Sequence, residues 1–99
     1  MNTIESIEAP SIIKIGNSFE LKINYSLYDQ RTALIDMGDS SDEFSISPSK
    51  AALESAPAGG TSAVFCTIER KAEAKGGSRY AFIRVSLGDS VRQKRIEVE

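Results

Sequence analysis

Four carboxylates near the middle of the sequence form its main cluster with metal-binding chemistry. They are Asp36, Asp39, Asp42 and Glu43. Calcium takes about six to eight oxygen ligands, and a loop at the end of a β-sandwich is a suitable place for such a site. The spacing differs from the alternating aspartates and the glycine of an EF-hand loop, and runs of charge are usually solvated. The sequence therefore favours a solvated acidic loop over a calcium site, and it predicts no cofactor.

The chain has few residues suited to nucleophilic catalysis, since it has no histidine and a single cysteine, Cys66. Without histidine, the Ser-His-Asp and Cys-His arrangements are excluded, and most zinc sites lose a common ligand. Cys66 lies in an apolar segment, where a free thiol behaves as a small hydrophobic residue. We therefore expect a buried Cys66, no intrachain disulfide and a protein that is not an enzyme.

Aromatic side chains could form a contact surface for a protein or a sugar. Tyr80 and Phe82 fall on the outward side of a strand pattern whose inward side carries Ile83 and Val85. Exposed aromatic residues are typical of contact sites. A β-bulge that shifts the register by one residue, or a covering loop, would instead bury both rings. With Tyr28, these two residues are the candidate contact surface.

Basic residues are frequent in the last third of the chain, but the net charge of the whole protein is −2. Nucleic-acid binding normally requires a basic excess and interleaved aromatic residues for stacking. Surface solubility is the better explanation, and we expect no nucleic-acid partner. The basic residues concerned are Arg70, Lys71, Lys75, Arg92, Lys94 and Arg95.

Two long segments alternate between apolar and polar residues and predict the central strands. In residues 19–27 every second residue, from Phe19 to Leu27, is apolar, and the residues between them are polar. In residues 78–87 the inward set runs from Ala81 to Leu87. Since side chains of a strand point to opposite faces in turn, each segment has one dry and one wet face. This pattern is typical of antiparallel sheets that pack on a second layer.

The remaining segments predict shorter strands separated by turns. Ala9-Pro10 divides the first strand in two, and Gly88-Asp89-Ser90 predicts a tight hairpin. Residues 47–57 fit either a short helix or a strand with an irregular crossover, with the second favoured. The charges on the last strand are typical of a protected edge. The sequence thus predicts a single all-β domain over residues 1–99, an immunoglobulin-like antiparallel β-sandwich of about seven or eight strands.

Composition is that of an ordinary globular domain, with 40% hydrophobic and 26% charged residues in 99 positions. No apolar run approaches the length of a membrane-spanning helix, so we expect no membrane insertion. The N-terminal residues lack the features of a signal peptide. The last residues, up to Glu99, continue a strand pattern, which favours a module of a longer protein.

Three stretches resemble bacterial immunoglobulin-like modules. Phe44-Ser-Ile-Ser-Pro48, followed by Leu53 and by Gly59-Gly60 with Val64, is similar to a pattern that several such families share. Residues 79–89 with Ile96-Glu-Val98 resemble the closing hairpin of the BACON family, and residues 13–21 resemble the first hairpin of CARDB-type modules. The resemblance implies a spacer or interaction module.

The functional expectation is a non-catalytic spacer or protein-interaction and adhesion module of a larger bacterial surface or secreted protein. Its partners would be neighbouring domains or another protein. One alternative is a carbohydrate-binding module that uses Tyr80, Phe82 or Tyr28, although sugar stacking usually recruits tryptophan and the chain has none. Another is a structural domain of an intracellular or phage particle.

Overall fold

The computed structural model describes residues 2–27, 32–54, 60–72 and 79–99. These residues form nine β-strands and no helix. The predicted number was seven or eight. The strands are β1 (Thr3–Glu8), β2 (Ile12–Ile13), β3 (Ser18–Ser26), β4 (Thr32–Asp39), β5 (Phe44–Ser47), β6 (Lys50–Glu54), β7 (Gly60–Arg70), β8 (Tyr80–Leu87) and β9 (Ser90–Val98).

The strands form two sheets, so the predicted all-β sandwich is confirmed. The four-stranded sheet has the order β1-β3-β7-β5, and the five-stranded sheet has the order β2-β9-β8-β4-β6. All neighbouring pairs are antiparallel except β2 and β9, which run parallel. The predicted break at Ala9-Pro10 is confirmed, and the structure adds that β1 and β2 on its two sides belong to different sheets.

The core lies between the two sheets and is supplied by the alternating residues. Four inward side chains are completely buried: Leu21 and Ile23 of β3, and Ile83 and Val85 of β8. Glu20, which lies between Phe19 and Leu21 in β3, is exposed. Burial of such side chains is the dominant stabilising contribution in a domain without disulfides. The inward and outward sets therefore follow the sequence pattern in both central strands.

The segment from β4 to β6 changes sheet twice. The chain leaves β4 at Asp39, and β5 pairs with the C-terminal end of β7 in the opposite sheet. It then returns as β6, which pairs with β4, and Met37 donates a backbone hydrogen bond of 2.8 Å to Ser49. The Ser47–Pro48 peptide bond between β5 and β6 is cis. Within residues 47–54 the strand interpretation is confirmed, and residues 55–57 of that prediction lie outside the described part of the chain.

A two-residue hairpin loop sets the register of β8 and β9. Leu87 lies opposite Ser90, so Gly88 and Asp89 form the loop, and Gly88 has a φ of 59°. Positive φ at the first central position is where a type II′ turn favours glycine. Counting back from this loop places Phe82 directly opposite Arg95.

Tyr25, near the end of β3, packs on Gly60, the first residue of β7. The two residues are opposite each other, and Tyr25 is 5% exposed. A Cβ atom on Gly60 would lie 2.8 Å from Cζ and 2.9 Å from Oη of this buried ring. The absence of a side chain at position 60 therefore makes room for the tyrosine.

Gly60→Ala is expected to lower the free energy of unfolding by about 1–2 kcal/mol, because the buried Tyr25 ring has to move. Chemical denaturation measures this change. Gly38→Ala is the matched control, since a Cβ there meets no atom within 4 Å. Equal stability of the two variants would show that Tyr25 does not pack on Gly60.

Candidate contact surface

Tyr80 and Phe82 project from the outer face of the five-stranded sheet, as the alternation predicted. The β8–β9 register is continuous from Tyr80 to Leu87, so the bulge alternative is wrong. Tyr80 is 41% exposed and Phe82 is half-buried, while Ala81 and Ile83 on the inward face are completely buried. The third predicted contact residue, Tyr28, lies outside the described residues.

Arginine side chains accompany the two aromatic rings. The Arg95 guanidinium carbon lies 4.9 Å from the centroid of the Tyr80 ring, a cation–π distance. Arg84 and Gln93, the next pair along the hairpin, are also exposed and on the same face. We call this set the outer β8–β9 surface: Tyr80, Phe82, Arg84, Gln93 and Arg95.

The backbone of Phe82 is fixed by the end of β4. The Phe82 N–H donates a 2.8 Å hydrogen bond to Oδ1 of Asp39, and its C=O accepts a 2.9 Å hydrogen bond from the Ser40 N–H. Both contacts lie beyond Asp39–Ile83, the last β4–β8 register pair. The outer β8–β9 surface therefore stands on a rigid support, which lowers the entropy lost when a partner binds.

A shallow, solvent-open depression adjoins this surface. It is lined on the outer face by Asp36, Gly38, Ser40, Arg84 and Ser86. Gly38 lies opposite Arg84, and the missing side chain at Gly38 leaves the floor of the depression open. The lining offers a carboxylate, a guanidinium and two hydroxyls. These groups can exchange hydrogen bonds with polar groups of a partner.

Asp39 has a structural role that the sequence did not indicate. Its Oδ2 accepts hydrogen bonds from Ser41 Oγ (2.5 Å) and from the backbone N–H groups of Glu43 and Phe44 (both 3.1 Å). Its Oδ1 accepts from the backbone N–H groups of Ser41 (3.4 Å) and Phe82 (2.8 Å). One carboxylate thus organises the β4–β5 turn and connects it to β8.

The other three carboxylates of the predicted acidic cluster point to separate partners. The exposed pair Asp36–Lys50 has an N–O distance of 3.9 Å, and the half-buried pair Glu43–Arg70 one of 3.8 Å; Asp42 pairs with Lys71. No group of three or more His, Cys, Asp or Glu side chains among the described residues could hold a metal ion. The geometry therefore does not support the calcium alternative.

Calcium at about 5 mM, well above the dissociation constants of weak extracellular sites, is expected to leave the thermal unfolding midpoint unchanged. The reason is that each carboxylate already has hydrogen-bond donors or a cation beside it. Magnesium at the same concentration controls for ionic strength. A rise of several degrees with calcium alone would show that the carboxylates converge on the ion.

The basic residues do not form one patch in the described structure. Arg70 and Lys71 pair with the acidic loop, and Arg70 also lies 4.8 Å from the Phe44 ring centroid. Lys75 lies outside the described residues. On β9, Arg92 and Lys94 lie opposite the inward residues of β8, whereas Arg95 is on the outer face.

Cys66 is completely buried, which confirms the sequence prediction. Burial raises the pKa of its thiol, because desolvation disfavours the thiolate. The thiol lies 3.9 Å from the Val64 carbonyl oxygen as a weak donor. A neutral thiol in the core has the character of a packing residue.

The two most exposed of the large hydrophobic residues described were not singled out by sequence analysis. Phe65 of β7 is 68% exposed and Leu34 of β4 is 65% exposed, each on the outer face of its sheet. The signal for Phe65 was present, since Val64, Cys66 and Ile68 alternate and place Phe65 on the opposite side. Arg95 could be found in the same way, from the two-residue hairpin loop.

No family model matches this chain, and no curated protein matches its sequence. No helix that could span a membrane occurs in the described residues.

Proposed function

We propose that this domain is a non-catalytic protein-interaction module that binds its partner through the outer β8–β9 surface. The observation that carries the proposal is the exposed Tyr80 ring beside Arg95 on an unbroken, rigid strand pair. Tyrosine and arginine are enriched among the residues that dominate binding energy at protein interfaces. Regular strands hold these side chains with little conformational freedom to lose.

The charge of this surface indicates what kind of partner fits. Arg84 and Arg95 contribute two positive charges, and Glu97, which lies opposite Tyr80 on the same face, contributes one negative charge. Tyr80 and Phe82 contribute apolar contact area. Such a surface complements an apolar patch with an acidic rim, on a neighbouring domain of the same polypeptide or on another protein. The adjacent depression at Gly38 supplies additional polar contacts.

A second element of the proposal is a spacer role in a larger bacterial surface or secreted protein. It is supported by the resemblance to bacterial modules and by the geometry of the described ends. Thr3 pairs with Ser26 at one end of β3, whereas Glu99 forms backbone hydrogen bonds with Ile13 and Ile15 at the other end. Domains with ends arranged in this way can be joined in a line.

Carbohydrate binding is the alternative, and it is less well supported. Sugars stack on exposed aromatic faces, but the Arg95 guanidinium lies over the Tyr80 ring. Phe82 is half-buried, and the chain has no tryptophan. An exposed tyrosine covered by a cation is a better contact for a protein than for a sugar ring.

The test compares three immobilised proteins: the wild type, the double variant Tyr80→Ala/Arg95→Ala, and Leu34→Ala as a matched control. Each is exposed to extracts of the source organism and to a glycan array. We expect at least one protein to be retained by the wild type and the control and reduced roughly tenfold by the double variant. Selective glycan binding that is lost in the double variant would favour the carbohydrate alternative. Identical retention by all three proteins, or retention by none, would overturn the proposal.

A further inference from the structure

One edge of the four-stranded sheet is only partly covered. β7 has eleven residues, and β5 pairs with its last four, from Thr67 to Arg70. After Ser47 the chain crosses to the other sheet and becomes β6. Among the described residues, no strand therefore lies beside residues 60–66 of β7 on the side away from β3.

The direction of the exposed backbone groups follows from the hydrogen bonds at the C-terminal end of β7. Ile68 C=O accepts from Gly16 N–H on the β3 side, and Lys71 N–H donates to Glu43 C=O on the β5 side. Because successive residues of a strand alternate, even-numbered residues of β7 face β3 and odd-numbered residues face away. The N–H and C=O groups of Thr61, Ala63 and Phe65 thus point to the uncovered edge, where the described residues provide no backbone partner.

This edge lacks the features that usually prevent strand pairing. Residues 61–66 contain no charged residue and no proline, and Phe65 is the most exposed large hydrophobic residue described. Exposed, uncharged edge strands are sites where another chain adds a strand. The segment also has the β-branched and aromatic composition that favours extended pairing.

The opposite side of the sandwich is protected. The Ile4 N–H donates to Ser90 Oγ (3.0 Å), and the Ile4 C=O accepts from Arg92 Nε (3.1 Å). Along β9, Lys94 and Arg92 are exposed although they lie opposite the buried Ile83 and Val85. Both residues lie in the part of β9 that has no β2 partner in the described structure, since β2 pairs only with Glu97 and Val98. Inward-facing charge there opposes pairing with another copy, because like charges would meet.

We propose that the uncovered edge of β7 pairs with the same edge of a second copy of this chain. The two strands run antiparallel about a two-fold axis at Ala63, so that Thr61 of each copy lies opposite Phe65 of the other. Such an isologous contact brings the same patch of both copies together. It joins two four-stranded sheets into one continuous sheet.

Three observations favour a second copy as the occupant. The edge has no charge, so no like charges oppose each other when it meets itself. Pairing about Ala63 places the half-buried Ser62 and Val64 opposite each other on the inward side and covers Phe65 on the outward side. The uncovered length ends where β5 begins to pair with Thr67, so a second β7 edge of the same length fits beside it.

The test is sedimentation equilibrium combined with concentration-dependent amide hydrogen exchange. We expect the chain to dimerise with a dissociation constant below about 1 mM, which is the weak end of specific binding. At high concentration the amides of Ala63 and Phe65 are expected to gain protection, whereas those of Ser62 and Val64, which face β3, stay unchanged. A protein that is monomeric up to this concentration would overturn the proposal, and so would a dimer whose Ala63 and Phe65 amides exchange as fast as in the monomer.

Two variants and a control separate edge pairing from non-specific association. Ala63→Pro removes an N–H that points to the uncovered edge and keeps the ladder to β3, so it is expected to abolish the dimer. Phe65→Lys places a charge on the edge and is expected to weaken the dimer at least tenfold, about the effect of an interface hot spot. Leu34→Lys alters an equally exposed residue of the other sheet and is expected to have no effect. Equal weakening by Leu34→Lys and Phe65→Lys would overturn edge pairing. If Ala63→Pro fails to fold, the hydrogen-exchange data on the wild type test edge pairing instead.

The β7 edge and the outer β8–β9 surface lie on different sheets, so either proposal can fail without the other.

Discussion

Replacing Ile83 with alanine is expected to lower the free energy of unfolding by about 3–4 kcal/mol. Ile83 is completely buried in β8, a strand flanked by β4 and β9 in the five-stranded sheet. Its truncation removes apolar contacts with the opposite sheet and leaves a cavity that the rigid strands cannot close. Chemical denaturation of the purified domain measures the loss.

Leu34→Ala is the control for this experiment. Leu34 lies in the same sheet but is 65% exposed, so its truncation is expected to change stability by less than about 0.5 kcal/mol. A domain of this size has a total stability of about 5–15 kcal/mol, so both variants can be compared in the folded state. Equal losses in the two variants would mean that Ile83 does not face the core.

Replacing Asp39 with asparagine is expected to destabilise the domain by about 2–3 kcal/mol. Both carboxylate oxygens accept hydrogen bonds, including those from the backbone N–H groups of Glu43, Phe44 and Phe82. An amide retains one oxygen, and its NH₂ group then faces donors that have lost their acceptor. The change is isosteric, so no cavity contributes to the loss.

Asp42→Asn is the matched control, because it makes the same chemical change in the same loop. The Asp42 side chain is 85% exposed and pairs with Lys71 on the surface. Its φ of 64° is tolerated by asparagine, and an exposed ion pair contributes about 0–1 kcal/mol. If the two variants were equally stable, Asp39 would not organise the β4–β5 turn. Thermal or chemical denaturation monitored by circular dichroism gives both values.

The central strands could be predicted because their alternation is complete. Phe19 to Leu27 and Ala81 to Leu87 each place an unbroken apolar set on one face, and a pattern with period two has one structural meaning at that length. Proline at position 10 predicted the division of the first strand, since it cannot donate to a sheet ladder. These features depend on local sequence alone.

Strand partners could not be predicted in the same way. The residues of β5 and β6 form strands as their pattern allows, but nothing local states that β5 pairs with β7 and β6 with β4. Sheet assignment depends on contacts between residues far apart in the sequence. The edge of β7 is left uncovered because the chain leaves β5 for β6 in the other sheet. This edge could therefore not be predicted from the sequence either.

The role of Asp39 was missed for a related reason. In the sequence it is one of four clustered carboxylates, which suggested a solvated loop or a calcium site. Its distinguishing contact is with the N–H of Phe82, 43 residues away. For Tyr80 and Phe82, in contrast, the sequence offered outward exposure and burial by a bulge or a covering loop as alternatives, and the continuous β8–β9 register excludes the bulge.

The central claim is that strict alternation divides the aromatic residues into a core set and a surface set. Hydroxyl-radical footprinting with mass spectrometry tests it directly, because aromatic rings react according to their exposure. In dilute solution, where the chain is monomeric, we expect rapid oxidation at Phe65 and Tyr80, which are 68% and 41% exposed, and protection at Phe19 and Phe44, which are 6% and 1% exposed. Protection of Phe65 and Tyr80 together with oxidation of Phe19 and Phe44 would show that the strands have the opposite register, and it would contradict both the core and the contact surface described above.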